Sequence, residues 1–243
     1  MPSTSLTEKY RPKTLQDLVL SPQHGLAASL EFCRSPYASA WLHHGKSGLG
    51  KSSLAEIMAR VASNPLCIHR YAGPDLTSDI VRSLTAAFTT RPLCGGFYSI
   101  VVHEADCIPR LAQVRLLDLL DRLKECHAVV LLTSNDDLPS FEDRFLSRVR
   151  TQLFTAQGLA PVAKSWLLRI AANENIRITP VEAGRIIKLS KNNLRKALSD
   201  LEVLGAERRV TAPAPSLPDA PMPPDTVPST GEPVADRRPT AAF

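Results

Sequence analysis

The fold of this chain is decided by the stretch Gly45-Lys46-Ser47-Gly48-Leu49-Gly50-Lys51-Ser52. Every fixed position of the GxxxxGKS pattern is filled, an apolar run at 40–42 precedes it, and a helical pattern follows it. In such a loop the glycines let backbone N–H groups face phosphates, the lysine adds a point charge and the serine hydroxyl reaches Mg²⁺. The pattern predicts a strand–loop–helix unit that binds a nucleoside triphosphate or descends from one that did, with Ser53 following in the helix.

Composition narrows the class of protein without identifying it. The 243 residues are 44% hydrophobic and carry a formal net charge of +5, which suits a nucleic-acid partner but is common in cytosolic enzymes. The five cysteines form no CxxC pair, which argues against a zinc ribbon or a disulfide framework. No signal peptide opens the chain and no apolar run reaches membrane-spanning length. We therefore expect a cytoplasmic protein without a membrane partner, nucleoid-associated in a bacterium or nuclear in a eukaryote.

The chain divides into three segments of different pattern. Short apolar runs alternate with amphipathic stretches up to about residue 155, which predicts an α/β domain at 1–157 with a parallel sheet flanked by helices. The next segment shows only helical periodicity and predicts a small three-helix domain at 158–206. Nine of the 20 prolines follow, which predicts a disordered tail at 207–243. The predicted strands lie at 40–42, 66–71, 99–102, 128–132 and 152–154, and the last three helices at 162–173, 180–189 and 193–204.

An acidic residue follows the third apolar run. Glu104 comes just after the run at 99–102, where a carboxylate could polarise an attacking water as a general base. The position before it usually carries an aspartate that helps to hold the Mg²⁺ shell, and this chain has His103 there. Because a neutral imidazole is a poor ligand for a hard cation, His103 makes turnover of the nucleotide uncertain.

Three further polar residues occupy positions suited to phosphate recognition. Asn135 follows the strand pattern at 128–132, Arg148 follows an apparent helix, and Arg195 lies near the start of the last predicted helix. Taken singly, Asn135 is better explained as a turn residue and Arg148 as an ordinary surface arginine, and Arg195 is ambiguous in the same way.

The order of the motifs resembles one known family. The opening Glu8-Lys9-Tyr10-Arg11-Pro12-Lys13-Thr14-Leu15 is similar to that of replication factor C small subunits, which are AAA+ clamp-loader ATPases. The P-loop, the His-Glu-Ala-Asp box at 103–106, Asn135, Ser-Arg-Val at 147–149 and Asn-Leu-Arg-Lys-Ala at 193–197 follow in the family's order. The similarity covers about residues 6–205, and residues 171–175 resemble the end of a lid helix.

The resemblance implies an ATP and Mg²⁺ site that is shared between subunits. In this family the opening residues close over the adenine, the P-loop holds the phosphates and the serine that ends it holds Mg²⁺. Carried onto this chain, the nucleotide contacts are Glu8, Tyr10, Arg11, Pro12, the whole loop from Gly45 to Ser52, Ser53 and Arg195. The catalytic residues are Glu104 as base, Asn135 as first sensor and Arg148 as a finger that enters the neighbouring subunit's site, so hydrolysis would depend on assembly.

The resemblance also implies partners. These are other clamp-loader-like subunits in a homo- or hetero-oligomer, primer–template DNA and a possible sliding clamp. Arg82 matches a family position that faces DNA, and Arg110 and Arg115 are further candidates for which a solvated helix face is an equally good explanation.

Three features depart from the family pattern. His103 replaces an aspartate, and Leu117-Asp118 replaces a pair of arginines that follow the acidic box. After residue 206 the proline-rich segment stands where family members continue into a helical collar, and the four-cysteine zinc module of bacterial relatives is missing.

Three functions follow from these patterns. The first is a clamp-loader-like ATPase that acts on DNA in replication or repair. The second is an accessory subunit that hydrolyses ATP weakly and donates Arg148 to a partner's site. The third, a small-molecule kinase, accounts for the P-loop but not for the opening motif or for Arg195.

Overall fold

A five-stranded, wholly parallel sheet forms the centre of the computed structural model, which describes residues 5–21, 26–135 and 141–211. Its strand order is β2-β3-β4-β1-β5, so the third, fourth and first strands are interior. The strands are β1 (Ser39–Gly45), β2 (Ile68–Ala72), β3 (Tyr98–His103), β4 (Ala128–Thr133) and β5 (Arg150–Phe154). The predicted parallel sheet flanked by helices is therefore confirmed.

The second strand begins later than its apolar pattern suggests. Pro65–Cys67 forms a short 3-10 helix, and the Asn64 side chain accepts a hydrogen bond from the Leu66 N–H at 3.1 Å. Proline at the first position and asparagine as the cap favour this turn over an extended backbone. The strand starts only at Ile68 as a result, and Leu66 is left exposed.

Helices cover both faces of the sheet. They are α1 (Leu6–Lys9), α2 (Ala27–Arg34), α3 (Lys51–Ala62), α4 (Ser78–Ala87), α5 (Arg110–Asp121), α6 (Asp143–Leu146), α7 (Leu159–Asn173), α8 (Pro180–Leu189) and α9 (Leu194–Thr211). One core contains residues of α2, α3 and the last three helices, and the other contains residues of α4 and α5. Because both faces are covered, every residue of β1 and β4 is buried.

The last three helices pack on each other and on the nucleotide-loop side of the sheet. A capping box begins α8, in which the Thr179 hydroxyl accepts from the Glu182 N–H and the Glu182 carboxylate accepts from the Thr179 N–H. The final helix continues to Thr211, past residue 207 where we expected disorder to begin, and the Arg208 guanidinium pairs with Glu182 and with the Arg177 carbonyl. The rest of the predicted tail lies outside the described residues.

The described part of the chain contains no helix that is both long and apolar enough to span a bilayer.

Candidate functional site

The glycine-rich loop joins the end of β1 to the start of α3. Gly45, Gly48 and Gly50 have φ values of +122°, +78° and +96°, a region that favours glycine. A Cβ on Gly45 would lie 2.4 Å from the Phe154 carbonyl oxygen on the neighbouring strand. Glycine is therefore required both for the turn and for close contact with β5, and the loop directs the free N–H groups of the α3 N-terminus into one cleft.

Lys51 is a buried cation inside this loop. Its Nζ donates hydrogen bonds to the carbonyl oxygens of Gly45 at 2.6 Å and Lys46 at 2.7 Å. Burial lowers the pKa of Lys51 to about 8; the nearby Asp106 carboxylate raises it and the Arg195 guanidinium lowers it further. The influence of Arg195 means that two cations converge on the loop.

A cleft of about 510 Å³ lies above the loop, a volume within the range of small-ligand sites. Most residues with predicted nucleotide roles line it: Glu8, Tyr10, Arg11, Pro12, Ser47, Gly48, Gly50, Lys51, Ser52, Ser53, Glu104, Asn135 and Arg195. Three loop residues do not. Gly45 and Lys46 turn their carbonyls to Lys51, and Leu49 is packed in the core at 2% exposure.

The opening segment is attached to the end of α7. The Tyr10 hydroxyl donates to Glu174 Oε1 at 2.5 Å, and Lys9 Nζ lies 2.7 Å from the same oxygen. The Leu6 N–H also donates to Glu202 of α9 at 3.3 Å. These contacts place α1 against the end of α7 and against α9, with Tyr10 at one wall of the cleft.

His103 lies at the carboxyl end of β3 with both ring nitrogens facing protein groups. Nδ1 is 3.3 Å from the Thr133 hydroxyl, and Nε2 is 3.7 Å from Glu56 Oε1. Glu56 is in turn held by Arg70 of β2, whose Nε and Nη2 donate to its two oxygens at 2.9 and 3.0 Å. Contact with His103, and then with Arg70, holds the pKa of the Glu56 carboxyl at about 2 despite its burial.

Glu104 and Asn135 lie at the ends of adjacent parallel strands. Glu104 has a left-handed backbone (φ 56°, ψ 50°), an unusual conformation for this residue type that often marks functional sites. Its carbonyl oxygen approaches Gly73 so closely that a Cβ there would lie 2.0 Å away. The exposed Glu104 side chain lines the cleft, as do Asn135 and Ser52.

The start of α9 touches the glycine-rich loop directly. The Leu194 N–H donates to the Gly48 carbonyl at 3.1 Å, and a Cβ on Gly48 would lie 2.1 Å from Asn193 Oδ1. Asn193 Oδ1 also accepts from the Lys196 N–H at 3.0 Å, which caps the helix. Arg195 is thereby held at the cleft beside the loop.

No protein-family model matches the chain, but curated sequences do. Replication factor C subunit 5 of Mus musculus is 27% identical over 204 residues, which cover 80% of this chain and 58% of that protein. The replication factor C small subunit of Methanoregula boonei is 27% identical over 203 residues, covering 80% and 61%. The chain thus spans about three fifths of the length of these relatives. The predicted resemblance to replication factor C subunits is confirmed.

Solved structures match over most of the chain. A point mutant of RuvB from Thermotoga maritima has a TM-score of 0.65 at 18% identity and covers 84% of this chain and 68% of that one. Domain III of the replication initiation protein DnaA from the same organism has a TM-score of 0.61 at 17% identity, covering 86% and 92%. The fold is that of the AAA+ ATPases.

In this AAA+ fold Arg148 lies away from the cleft of its own chain. Its Nε and Nη2 donate to the two Asp121 oxygens at 2.6 and 3.0 Å, and its Nη1 donates to the Arg144 carbonyl at 2.6 Å. The side chain remains 33% exposed. Arg148 is therefore oriented by the end of α5 and does not reach the phosphate loop of the same AAA+ fold.

The arginines predicted to contact DNA lie on α4 and α5, which pack together on the opposite face of the AAA+ sheet. Arg82 pairs with Asp79 at 3.1 Å and Arg110 with Glu142 at 3.2 Å. Arg115 is exposed on the same helix as Arg110. These positions are accessible, and none of the three lines the cleft.

Several residues of the site were not predicted from the sequence. Glu56 and Arg70 belong to no motif, and Trp166, Thr133 and Glu174 belong to elements whose patterns indicated only helix or strand. A glutamate among the buried residues of α3 was the one available signal for Glu56, since buried carboxylates are normally paired.

The described residues fit a bound triphosphate better than they fit a metal ion. The loop has the glycine cradle and cations that phosphates require, and Ser52 lines the cleft one residue into α3. No cluster of three or more His, Cys, Asp or Glu side chains suited to a metal occurs in the described ranges.

Proposed function

We propose that this chain is a clamp-loader-like ATPase subunit that acts on DNA in replication or repair. The observation that supports this most is the cleft in which the P-loop, Glu104, Asn135, Arg195 and the opening segment converge. Sequence similarity to replication factor C subunits supports the same function. ATP binding and hydrolysis would be coupled to assembly on primer–template DNA, or to the loading of a ring-shaped partner such as a sliding clamp.

Each residue has a proposed task in this function. Ser52 holds Mg²⁺, which when bound neutralises phosphate charge, and Lys51 supplies a fixed cation beside it. Glu104 acts as general base, while Asn135 and Arg195 contact the γ-phosphate. Tyr10 and its neighbours from Glu8 to Pro12 enclose the adenine.

We also propose how the chain is divided and where it works. Residues 1–157 form the nucleotide-binding domain and the segment from 158 forms a lid, whose last helix runs past the expected boundary at 206 to Thr211. The rest of the chain, up to 243, is a tail. The subunit assembles with other clamp-loader-like subunits in the cytoplasm, nucleoid or nucleus. Arg82, Arg110 and Arg115 are the proposed DNA contacts.

Calorimetric titration of ATP into the full chain tests the site. We expect binding by the wild-type protein, and its loss in Lys51→Met, which removes the loop's cation. Lys188→Met, on the exposed surface of α8, is the matched control and should bind as the wild type does. Absence of measurable ATP affinity in the wild type would overturn the proposal.

Both ring nitrogens of His103 face protein groups, Thr133 and Glu56. This supports a second function, an accessory subunit that hydrolyses ATP weakly and donates Arg148 to a partner. ATPase assays with and without primer–template DNA distinguish the two, because only the first function predicts substantial turnover. His103→Asp sharpens the comparison. A tenfold or larger gain in turnover, about 1.4 kcal/mol of barrier, would show that the wild-type site is impaired.

A further inference from the structure

The residue at the acidic position of the site has no nitrogen lone pair directed at the cleft. His103 is 32% exposed and lines the cleft, but its Nδ1 faces Thr133 and its Nε2 faces Glu56. An imidazole held in this way neither ligates a cation nor fixes a cation's water on the cleft side.

The carboxylate behind His103 is also occupied. Both oxygens of Glu56 accept hydrogen bonds from Arg70; the residue is 8% exposed and does not line the cleft. It lies four residues after Ser52, one helical turn further into α3. The hydrogen bonds with His103 and Arg70 lower the pKa of Glu56, so the charge of Glu56 is balanced within the protein.

The charges closest to the phosphate loop on the cleft lining are cations. Lys51 and Arg195 are close enough for Arg195 to lower the pKa of Lys51, and both line the cleft. Arg11 adds a third cation, and the N-terminus of α3 adds its partial positive charge. The acidic side chains on the same lining are Glu8, Asp17 and Glu104. Asp17 accepts from the Thr14 and Lys13 N–H groups, and Glu8 lies 3.9 Å from Arg11. Asp106 is not on the cleft lining, but its carboxylate is close enough to raise the pKa of Lys51, so Lys51 is already partly balanced by a carboxylate of the protein.

We propose that this chain binds its nucleoside triphosphate with an affinity almost independent of Mg²⁺, because Lys51 and Arg195 neutralise the phosphates and the Glu56–Arg70 pair keeps His103 from anchoring the metal. The inference rests on the proposed nucleotide-binding function and goes beyond it. It separates nucleotide binding from metal binding, two events that a carboxylate at position 103 would couple. The nucleotide-bound state would therefore form whether or not the metal is present.

The test is the dissociation constant for ATP, measured by calorimetry on the full chain in excess Mg²⁺ and again in excess EDTA. We expect the two constants of the wild type to agree within about threefold. In His103→Asp, which restores a carboxylate at the strand end, removal of Mg²⁺ should weaken binding by tenfold or more. His103→Asn, of similar size but uncharged, is the matched control and should retain the small wild-type ratio.

The outcomes separate this inference from the function on which it rests. Wild-type binding that weakens more than tenfold in EDTA overturns the inference while leaving nucleotide binding intact. No binding in either condition overturns the proposed function instead. Should the added charge beside Glu56 unfold His103→Asp, the double variant Glu56→Gln with His103→Asp removes the repulsion and carries the same expectation.

Discussion

Lys51 combines a charge with almost complete burial. Two backbone carbonyls hold its ammonium group, yet its pKa is still lowered to about 8, so removal from water costs more than those hydrogen bonds return. A bound triphosphate would reverse this balance by providing negative charge at the same place. The nucleotide-free protein therefore carries strain at Lys51 that ligand binding relieves.

Replacing this charge should stabilise the nucleotide-free protein while abolishing ATP binding. We expect Lys51→Met to raise the free energy of unfolding by about 1–2 kcal/mol at pH 7. The substitution removes the cost of burying a charge, which the lowered pKa reports, but it also removes the two hydrogen bonds to the loop carbonyls. Between pH 8 and 10.5 the unfolded wild-type chain binds more protons at this residue than the folded chain does. Wild-type stability therefore rises with pH in that window relative to the variant, and the difference shrinks.

Urea unfolding at pH 7 and pH 9.5 measures both effects. Lys188→Met on exposed α8 is the control, for which no change at either pH is expected. A Lys51→Met protein less stable than the wild type at pH 7 would contradict this account.

At the scale of elements, the phosphate loop and α9 share a boundary. The Gly48 carbonyl accepts from the Leu194 N–H, and the Asn193 side chain occupies the space that a Gly48 Cβ would need. Movement of α9 therefore moves the hydrogen-bond partner of the loop and carries Arg195 with it. We therefore expect the loop and the N-terminus of α9 to move together.

A methyl group at Gly48 tests this contact. Gly48→Ala forces a Cβ to within 2.1 Å of Asn193 Oδ1 at a backbone φ of +78°, so we expect loss of thermal stability and at least tenfold weaker ATP binding. Gly184→Ala is the control: Gly184 is in α8, with no atom within 4 Å of the added Cβ. That variant should gain roughly 0.5–1 kcal/mol of stability and bind ATP as before. Equal effects of the two substitutions would disprove the contact.

The second connection between elements is the attachment of α1 to α7. Glu174→Ala removes the acceptor of the Tyr10 hydroxyl, a hydrogen bond to a charged group worth about 1.5–3 kcal/mol. We expect amide hydrogen exchange at residues 6–10 to quicken by about tenfold, and Glu31→Ala on exposed α2 to leave it unchanged. Unaltered exchange in Glu174→Ala would show that α1 is held mainly by its contacts with α9.

On the scale of the whole molecule, the ATP cleft and Arg148 occupy separate surfaces. Arg148 is held by Asp121 and does not line its own cleft, so any action of Arg148 on a phosphate requires a second subunit. In the proposed function, hydrolysis would therefore depend on assembly.

Mixing two inactive variants tests a shared site. Lys51→Met lacks a functional loop and Arg148→Ala lacks the finger, so each alone should show at least tenfold less ATPase activity than the wild type. In a mixture, the loop of the Arg148→Ala subunit can meet the finger of the Lys51→Met subunit, and we expect activity to recover to a substantial fraction of wild type. Mass measurement with an ATP analogue and primer–template DNA accompanies the assay; a strict monomer under every condition would falsify the shared site.

The local features of this site were predictable, whereas its tertiary contacts were not. Residues Gly45 to Ser52 and the strand runs before Glu104 and Asn135 carry their structure in short sequence patterns, and the sheet and loop followed from them. Tyr10 and Glu174 are 164 residues apart in the chain, and Arg70 meets Glu56 across 14 residues on two different elements. Such pairs depend on the packing of helices on the sheet, for which a single sequence carries no local signal. The helix end at Thr211 was missed because Arg208 is held by α8, again a tertiary contact.

The pairing of Arg148 with Asp121 has a consequence for how an assembly would come apart. Entry of Arg148 into a neighbour's site would exchange one anion, a carboxylate of its own chain, for another, a phosphate. Because the arginine is never left without a counter-ion, the net free energy of that exchange is small compared with the bonds broken and made. In the proposed shared site, Asp121 could recapture the guanidinium after phosphate release, so this contact by itself would not hold two subunits together.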